Sequence, residues 1–500
     1  MAQKTMAVSA VGDNAKHVKT PEFVLYLVGV FFYTMMTGMM ASYRTEYFVN
    51  TLGLDKDQIS LFNVLTSVIP FVINFFLVMY IDGRKAKKSG KFRPLVMAVS
   101  IPMAVLLVIT FCVPSALTAE SRSALLMLYI VSIAVGWAVC NTFGNCINMV
   151  AVVMSPNMKE RDQIMSFRSI SSAVGNSAPL VVVLVLDLFI DNIATQYIVC
   201  AALCGAIGVI TMMLGMKAIT ERSAYTSEKK NPLVGFIDVI VNRHAWIIII
   251  SDFLKTFRNV ATYVGIFLCA ALLGSPSKFL LFGLPTGIGT AVGMLVINFL
   301  LKKFNSKVLY IASGIYSVIA NCAAFGVGYL YFKNASGILQ ILFVVFLFLI
   351  GLQFGASNLL PTMFQADVLE EIELETGKRL DASLGFVISI GTLISGTIAN
   401  ALAPQFLLKG DSPISIIGYV QAVEGVYPEQ ELKTKIMLLF FYTIVHGIMM
   451  FLAGVPYFFW DLTGKKKEEM HAAVIAKREK IAAEKGEYIQ GISDSAKIDA

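Results

Sequence analysis

Asp252, Lys255 and Arg258 stand three residues apart in one apolar stretch, a spacing that turns all three toward roughly one face of a helix. Such a face has two readings. Asp252 can neutralise Lys255 inside a packed core, or Arg258 can face a solute with Asp252 and Lys255 as candidates for coupling its movement to an ion. Asn141, Asn145 and Asn148 form a second stripe at i,i+4 and i,i+3 spacing, suited to the hydroxyls of a polyol and equally to hydrogen bonds between helices. Arg168 opens a later apolar stretch. Its guanidinium can donate paired hydrogen bonds to hydroxyls or a carboxylate, or it can simply anchor the helix end. Glu46, with Arg44, Asp187 and Asp191, sits near a stretch end. Interfacial placement explains all four, and Glu46 is the third coupling candidate.

The signatures of other chemistries are absent. The four histidines are scattered and belong to no HExxH motif, the seven cysteines fall in apolar stretches without a CxxC pair, and no GxxxxGK[ST] phosphate loop occurs. Metal hydrolysis, a zinc site, disulfides and ATP-driven transport within the chain are therefore not expected, and no cofactor is implied. No nucleophile-base constellation marks an enzyme.

These polar residues sit in a chain that is 57% hydrophobic and 15% charged, with a mean hydropathy of +0.72. Apolar runs near 22–47, 59–81, 95–115, 124–153, 166–191 and 196–219 are followed by six more near 245–273, 277–301, 308–331, 338–364, 382–407 and 433–461. Each is long enough to cross about 30 Å of hydrocarbon as a helix. The expected fold is an all-α integral membrane protein of about twelve transmembrane helices in two six-helix halves, 22–219 and 245–461. A polar linker, 220–244, joins the halves, and tails at 1–21 and 462–500 flank them. The first tail lacks the pattern of a removable signal peptide.

Thirty of the 40 Lys and Arg fall in the two tails, the linker and alternate loops, against seven in the opposite loops. The positive-inside rule then places both termini in the cytoplasm, in a bacterial inner membrane. Topology thus explains the basic charge, and nucleic acid is not an expected partner. Two sets of six with a basic linker, and basic turns after the second and eighth stretches, suggest the parallel repeat of the major facilitator architecture.

Three segments carry a more specific likeness: Asp82–Pro94 (DGRKAKKSGKFRP), Lys159–Arg168 (KERDQIMSFR) and Ala366–Arg379 (ADVLEEIELETGKR). They resemble the glycoside-pentoside-hexuronide:cation symporter family, the melibiose permease-like carriers. Weaker agreement at Thr45–Leu54 and around Arg258–Ala261 extends the resemblance over nearly the whole chain. It implies a secondary transporter moving a sugar, glycoside or glucuronide-like solute by alternating access, coupled to a proton or sodium, with Arg168 where the family places a sugar-contacting arginine. The departures are as informative. Thr34, Phe71, Phe75, Gly144 and Leu393 occupy the positions at which the family's cation-coupling aspartates and lysine are expected. A dehydrated cation needs anionic oxygens, and phenylalanine supplies none. Uncoupled uniport, or a non-transporting membrane sensor on the same fold, is the alternative.

Asp82, Asp367 and Glu370 lie among basic residues of alternate loops. Asp367 or Glu370 is expected to pair with Arg84, Arg93, Arg161 or Arg379 and hold the cytoplasmic side shut when the carrier faces outward. The excess of basic over acidic residues within the stretches tilts the expected solute toward a carboxylated sugar. A monomer is expected.

Overall fold

A computed structural model of the protein describes residues 17–83, 90–114, 117, 123–155, 158–222, 235–334, 336–376, 380–410, 413–423 and 426–485. Arg84 and Arg379 lie outside the described residues, as do the side chains of Asp82 and Arg161.

In hydrocarbon every backbone N–H and C=O must find its partner within the segment, and the apolar runs accordingly fold as helices. Among the described residues, twelve are long and apolar enough to cross a membrane. The first six spans are α1 (Thr20–Glu46), α2 (Lys56–Gly83), α3 (Arg93–Phe111), α4 (Ser123–Gly144) continued by α5 (Cys146–Met154), α6 (Met158–Leu186) and α7 (Ile193–Ala218). A short helix α8 (Phe236–Val241) leads to the second six. These are α9 (Arg243–Thr256) continued by α10 (Asn259–Leu273), α11 (Leu280–Leu300), α12 (Ser306–Lys333), α13 (Gly337–Thr376), α14 (Asp381–Leu407), and α15 (Leu432–Phe440) continued by α16 (His446–Gly454). A last helix, α17 (Lys465–Lys485), follows.

Local chemistry sets several boundaries. Asn242 caps α9 by accepting the Ala245 N–H at 2.8 Å, and Asn192 caps α7 through Thr195 N–H at 3.2 Å. Gly274 ends α10 at φ +74°, a left-handed conformation that favours glycine. The tenth span differs from its expected extent: α13 runs 40 residues to Thr376, so Ala366–Thr376 is a helical extension and not a loop.

Within the first six spans α1 packs on α6 and α7, and α3 on α4 and α7. Within the second, α13 packs on α11 and α12, and α9 on α14 and α16. Glycine permits the closest of these approaches. A Cβ at Gly289 or Gly293 would collide with the Phe348 or Leu352 carbonyl, and one at Gly355 with the Gly293 backbone; small residues four apart let membrane helices meet backbone to backbone. Contact between the two sets runs mainly along α2 and α14, with shorter meetings of α1 with α10 and α6 with α11.

Candidate functional site

Three spans are interrupted beside polar side chains that lie within them. The fourth breaks between α4 and α5 at Asn145, the seventh between α9 and α10 at Phe257–Arg258, and the twelfth passes through a π-helical turn, Phe441–Val445, just before His446. Such interruptions re-aim side chains and recur at functional sites.

In the first set, the Tyr33 hydroxyl of α1 lies 2.7 Å from Asn141 Oδ1 and 2.8 Å from Asn145 Oδ1. One hydroxyl proton serves one of these at a time, so the other carboxamide keeps capacity for a ligand. Gly144 makes room for the arrangement, since a Cβ there would meet the Tyr33 ring and Met103 Sδ. Asn74 of α2 accepts a hydrogen bond from Thr142. Asn148 lies one turn along α5, where its N–H donates to the Asn145 carbonyl at 3.0 Å. Arg168 on α6 donates to Ser169 Oγ at 3.4 Å, and its buried Nε has no hydrogen-bond partner. The structure thus joins Asn141 and Asn145 through a tyrosine that the asparagine stripe did not announce.

In the second set, Lys255 donates to the buried Asp252 carboxylate, the internal ion pair that was one reading of the spacing. Among the described residues, no carboxylate lies within salt-bridge distance of Arg258. Its guanidinium lies 4.7 Å over the Phe354 ring, with Nη1 4.0 Å from Met450 Sδ. The His446 ring meets the same phenylalanine edge-on, centroids 4.9 Å apart, and its buried Nε2 has no partner. Phe354 and His446 line a cavity of about 290 Å³ with Thr262, Thr286, Thr290, Asn358 and Tyr442. His446 was missed as a site residue, although an ionisable side chain inside a span is a candidate by the rule that selected Asp252.

Glu46 is fully buried. It accepts hydrogen bonds from Asn50 Nδ2 at 3.1 Å and the Tyr427 hydroxyl, and its other oxygen has no hydrogen-bond partner; among the described residues no cation lies within salt-bridge distance. Around it the connection between α14 and α15 closes over the end of α1. Asn50 Oδ1 accepts the Ala422 N–H at 2.9 Å, and Gln421 donates to the carbonyls of Val49 and Leu54 at 3.1 and 2.9 Å. Nearby, Ser60 donates to Ala401 O and Asn63 to Asn400 O, both at 2.8 Å, and Ser277 donates to Gln196 at 2.8 Å. Among the described residues, every hydrogen bond between the first six spans and the second six, with their connections, lies at this end.

At the opposite end the expected gate residues whose side chains are described, Asp367, Glu370 and Arg93, bind within their own set. Asp367 pairs with Lys467 of α17 at 2.7 Å and Glu370 with His471 at 3.0 Å. Arg93 donates to the Met216 and Lys217 carbonyls at 2.7 and 3.2 Å. Asp461, held by Lys466 and then His244, has its carboxyl pulled down to about 2. Among the described residues no group of three His, Cys, Asp or Glu is placed to hold a metal ion.

The sequence profile of the family described as MFS/sugar transport protein matches residues 25–464. The chain is 22% identical over 488 residues to the uncharacterized symporter YjmB of Bacillus subtilis, covering 95% of this chain and 98% of that one. It is 21% identical over 406 residues to YagG of Escherichia coli K12, provisionally named a glycoside/cation symporter, covering 76% and 83%. Among solved structures, the nucleoside transporter NupG (D323A mutant) superposes with a TM-score of 0.60 at 13% identity, covering 87% of this chain and 100% of that one. A D-xylose-proton symporter does so with 0.59 at 15%, covering 89% and 98%. The fold is that of the major facilitator transporters.

Proposed function

Because the chain belongs to the MFS/sugar transport protein family and is a multi-pass membrane transporter, not an enzyme, we propose that it carries a sugar, glycoside or glucuronide-like solute by alternating access. Residues 22–219 and 245–461 are the two moving halves, 220–244 the linker, and both termini lie on the cytoplasmic side of a bacterial inner membrane. The carrier works as a monomer. The observation that supports this is the one-sided closure. Hydrogen bonds join the sets at the Glu46 end alone among the described residues, while polar side chains at mid-span, Asn145, Thr262 and Asn358, remain exposed. Polar groups facing lipid would have no partners, so a water-filled space between the halves, entered from the end that carries the termini, accounts for both. Asn141, Asn145, Asn148 and Arg168 on one side of it and Arg258 on the other are the solute-binding candidates.

The solute moves with a proton and not with sodium at the site its relatives are expected to use. Thr34 donates its hydroxyl to the Val30 carbonyl at 2.9 Å and packs against Gly175, and Phe75 stacks on Phe386 of α14, centroids 5.2 Å apart. Neither offers the anionic oxygens that repay dehydration of sodium. Of the coupling candidates, Asp252 is engaged by Lys255, whereas Glu46 has only neutral partners. Glu46 is therefore the carboxyl free to gain and lose a proton as the halves separate.

Uptake by proteoliposomes from a panel of neutral and anionic glycosides, with pH and sodium gradients varied separately, tests this reading. A pH gradient should drive accumulation, and Glu46→Gln should abolish accumulation while leaving solute exchange. Strong sodium stimulation that survives both Glu46→Gln and Asp252→Asn would overturn the coupling, and absence of any uptake would favour a sensor.

A further inference from the structure

We infer that the cavity within the second set is a carboxylate-selecting subsite, in which His446 touches the acid group of a polyhydroxylated solute and Arg258 supplies the charge that favours it. The inference rests on the transport reading above and commits it to an acidic solute.

Three features of the cavity point the same way. The first is uncompensated charge. Among the described residues Arg258 has no acid partner, and the neighbouring Asp252 is engaged by Lys255. The guanidinium lies over the Phe354 ring, a contact that leaves its positive charge intact. That charge acts on the adjoining His446 and on whatever occupies the space beside it.

The second is an unused polar atom. His446 lines the cavity, its Nε2 is buried with no hydrogen-bond partner, and a buried ring nitrogen left unpaired is destabilising. With the ring proton on Nε2, that N–H can donate to a bound oxygen anion, which also gains the field of Arg258. The third is the remaining lining. Thr286 and Thr290 spend their hydroxyl protons on the Phe282 and Thr286 carbonyls, at 2.9 and 2.8 Å. Their oxygens are left as acceptors, matched to the O–H donors of a polyol. Thr262 and Asn358 add donors from α10 and α13, and Tyr442 packs on Phe282 at 6.0 Å to give an aromatic wall for the apolar face of a sugar ring. At about 290 Å³ the space is near the lower bound of small-ligand sites, which begin at about 300 Å³; this matches one sugar unit better than a long oligosaccharide.

The experiment is binding of D-glucuronate and D-glucose to the purified full chain by calorimetry, with uptake of the same pair and of a panel of neutral glycosides in proteoliposomes. The variants are His446→Ala, His446→Gln, Arg258→Gln and Arg258→Lys. Wild type should bind glucuronate more tightly than glucose. His446→Ala and Arg258→Gln should each remove about tenfold of that preference, the equivalent of one charge-assisted hydrogen bond. Arg258→Lys should retain most of it, and His446→Gln should keep the fold while losing it. Equal binding of the two sugars by wild type overturns the subsite, as does a preference that survives both His446→Ala and Arg258→Gln. In either case uptake of neutral glycosides leaves the transport reading intact. No binding or uptake of any solute removes both.

Discussion

The two ends of the molecule are held by different chemistry. At the Glu46 end most of the bonds that cross from one set of spans to the other join neutral groups, Asn50 to Ala422, Gln421 to Val49 and Leu54, Asn63 to Asn400, with Gln405 on the Asp57 carboxylate at 2.7 Å as a charge-assisted exception. At the end carrying the termini they are charged and stay within a set. Arg222 pairs with Glu22 at 2.8 Å, Glu221 accepts the N–H groups of Lys91, Phe92 and Arg93, and His244 bridges Glu371 and Asp461. The difference is instructive. Neutral hydrogen bonds net only about 0.5–1.5 kcal/mol each, so several can break together in a conformational step. A desolvated ion pair is costly to separate, so charged clusters suit contacts that persist while each half moves as a unit.

If that contrast is functional, fixing the neutral end should be far more damaging than fixing the charged one. A disulfide between cysteines placed at Ser60 and Ala401, whose side chain and carbonyl meet at 2.8 Å, should cut uptake at least about tenfold by trapping one state, with recovery on reduction. One between cysteines at Asp367 and Lys467, a pair within the second set, should change uptake less than about twofold. Full cross-linking at the first site with undiminished uptake would mean the ends do not separate there.

The rigidity of each half can be attacked next. Gly289→Ala or Gly293→Ala forces a methyl into the facing carbonyl of α13, an overpacking expected to cost about 1–3 kcal/mol. Thermal unfolding of the purified protein should register it. Gly326→Ala, where a Cβ meets nothing within 4 Å, should be neutral or slightly stabilising, since glycine is the poorer helix former. Equal losses in both would point to glycine flexibility in place of close packing.

Much of this architecture was legible in the sequence because the bilayer imposes one rule on every span. Apolar run length gave the twelve helices, and i,i+3 spacing brought Asp252 to Lys255 as one of its two readings. The site was less legible because its partners come from distant spans. Tyr33 joining Asn141 and Asn145 links α1 to α4, and Tyr427 on Glu46 spans most of the chain; no local period encodes either. Asp367 shows the limit plainly. Arg84, Arg93, Arg161 and Arg379 were its expected partners with the carrier facing outward; here α17 supplies Lys467, a cation from far along the chain that no local motif announces.

A subtler perturbation follows at the neutral end. Asn50→Ala with Tyr427→Phe removes the Asn50 bonds to Ala422, Tyr419 and Glu46 and the Tyr427 bond to Glu46 without adding bulk. Three of these cross between the sets, so at about 0.5 kcal/mol or more per bond the conformational equilibrium should shift about tenfold or more toward the state open at that end. Maleimide labelling of a cysteine at Ala422, which is buried here, should accelerate accordingly. Unchanged labelling would leave these bonds structural.

The smallest effect is expected from the charged end, and its sign follows from Glu160. Burial works against this carboxylate, yet Ser155 and the backbone N–H groups of Val18 and His17, at 3.0 and 3.1 Å, outweigh it and hold the carboxyl below the ordinary glutamate range. A group depressed on folding contributes stability above its unfolded pKa, and that contribution fades as pH falls through its folded value. Between pH 8 and 5 the clasp should therefore be fully present. Glu160→Gln should lower the unfolding temperature by about 1–2 °C across this window. The gap between variant and wild type should close only below about pH 4, where the wild-type carboxyl also becomes neutral. A gap that widens on acidification would mean the carboxyl is raised on folding, and the tail before α1 would then be held by something other than a charged clasp.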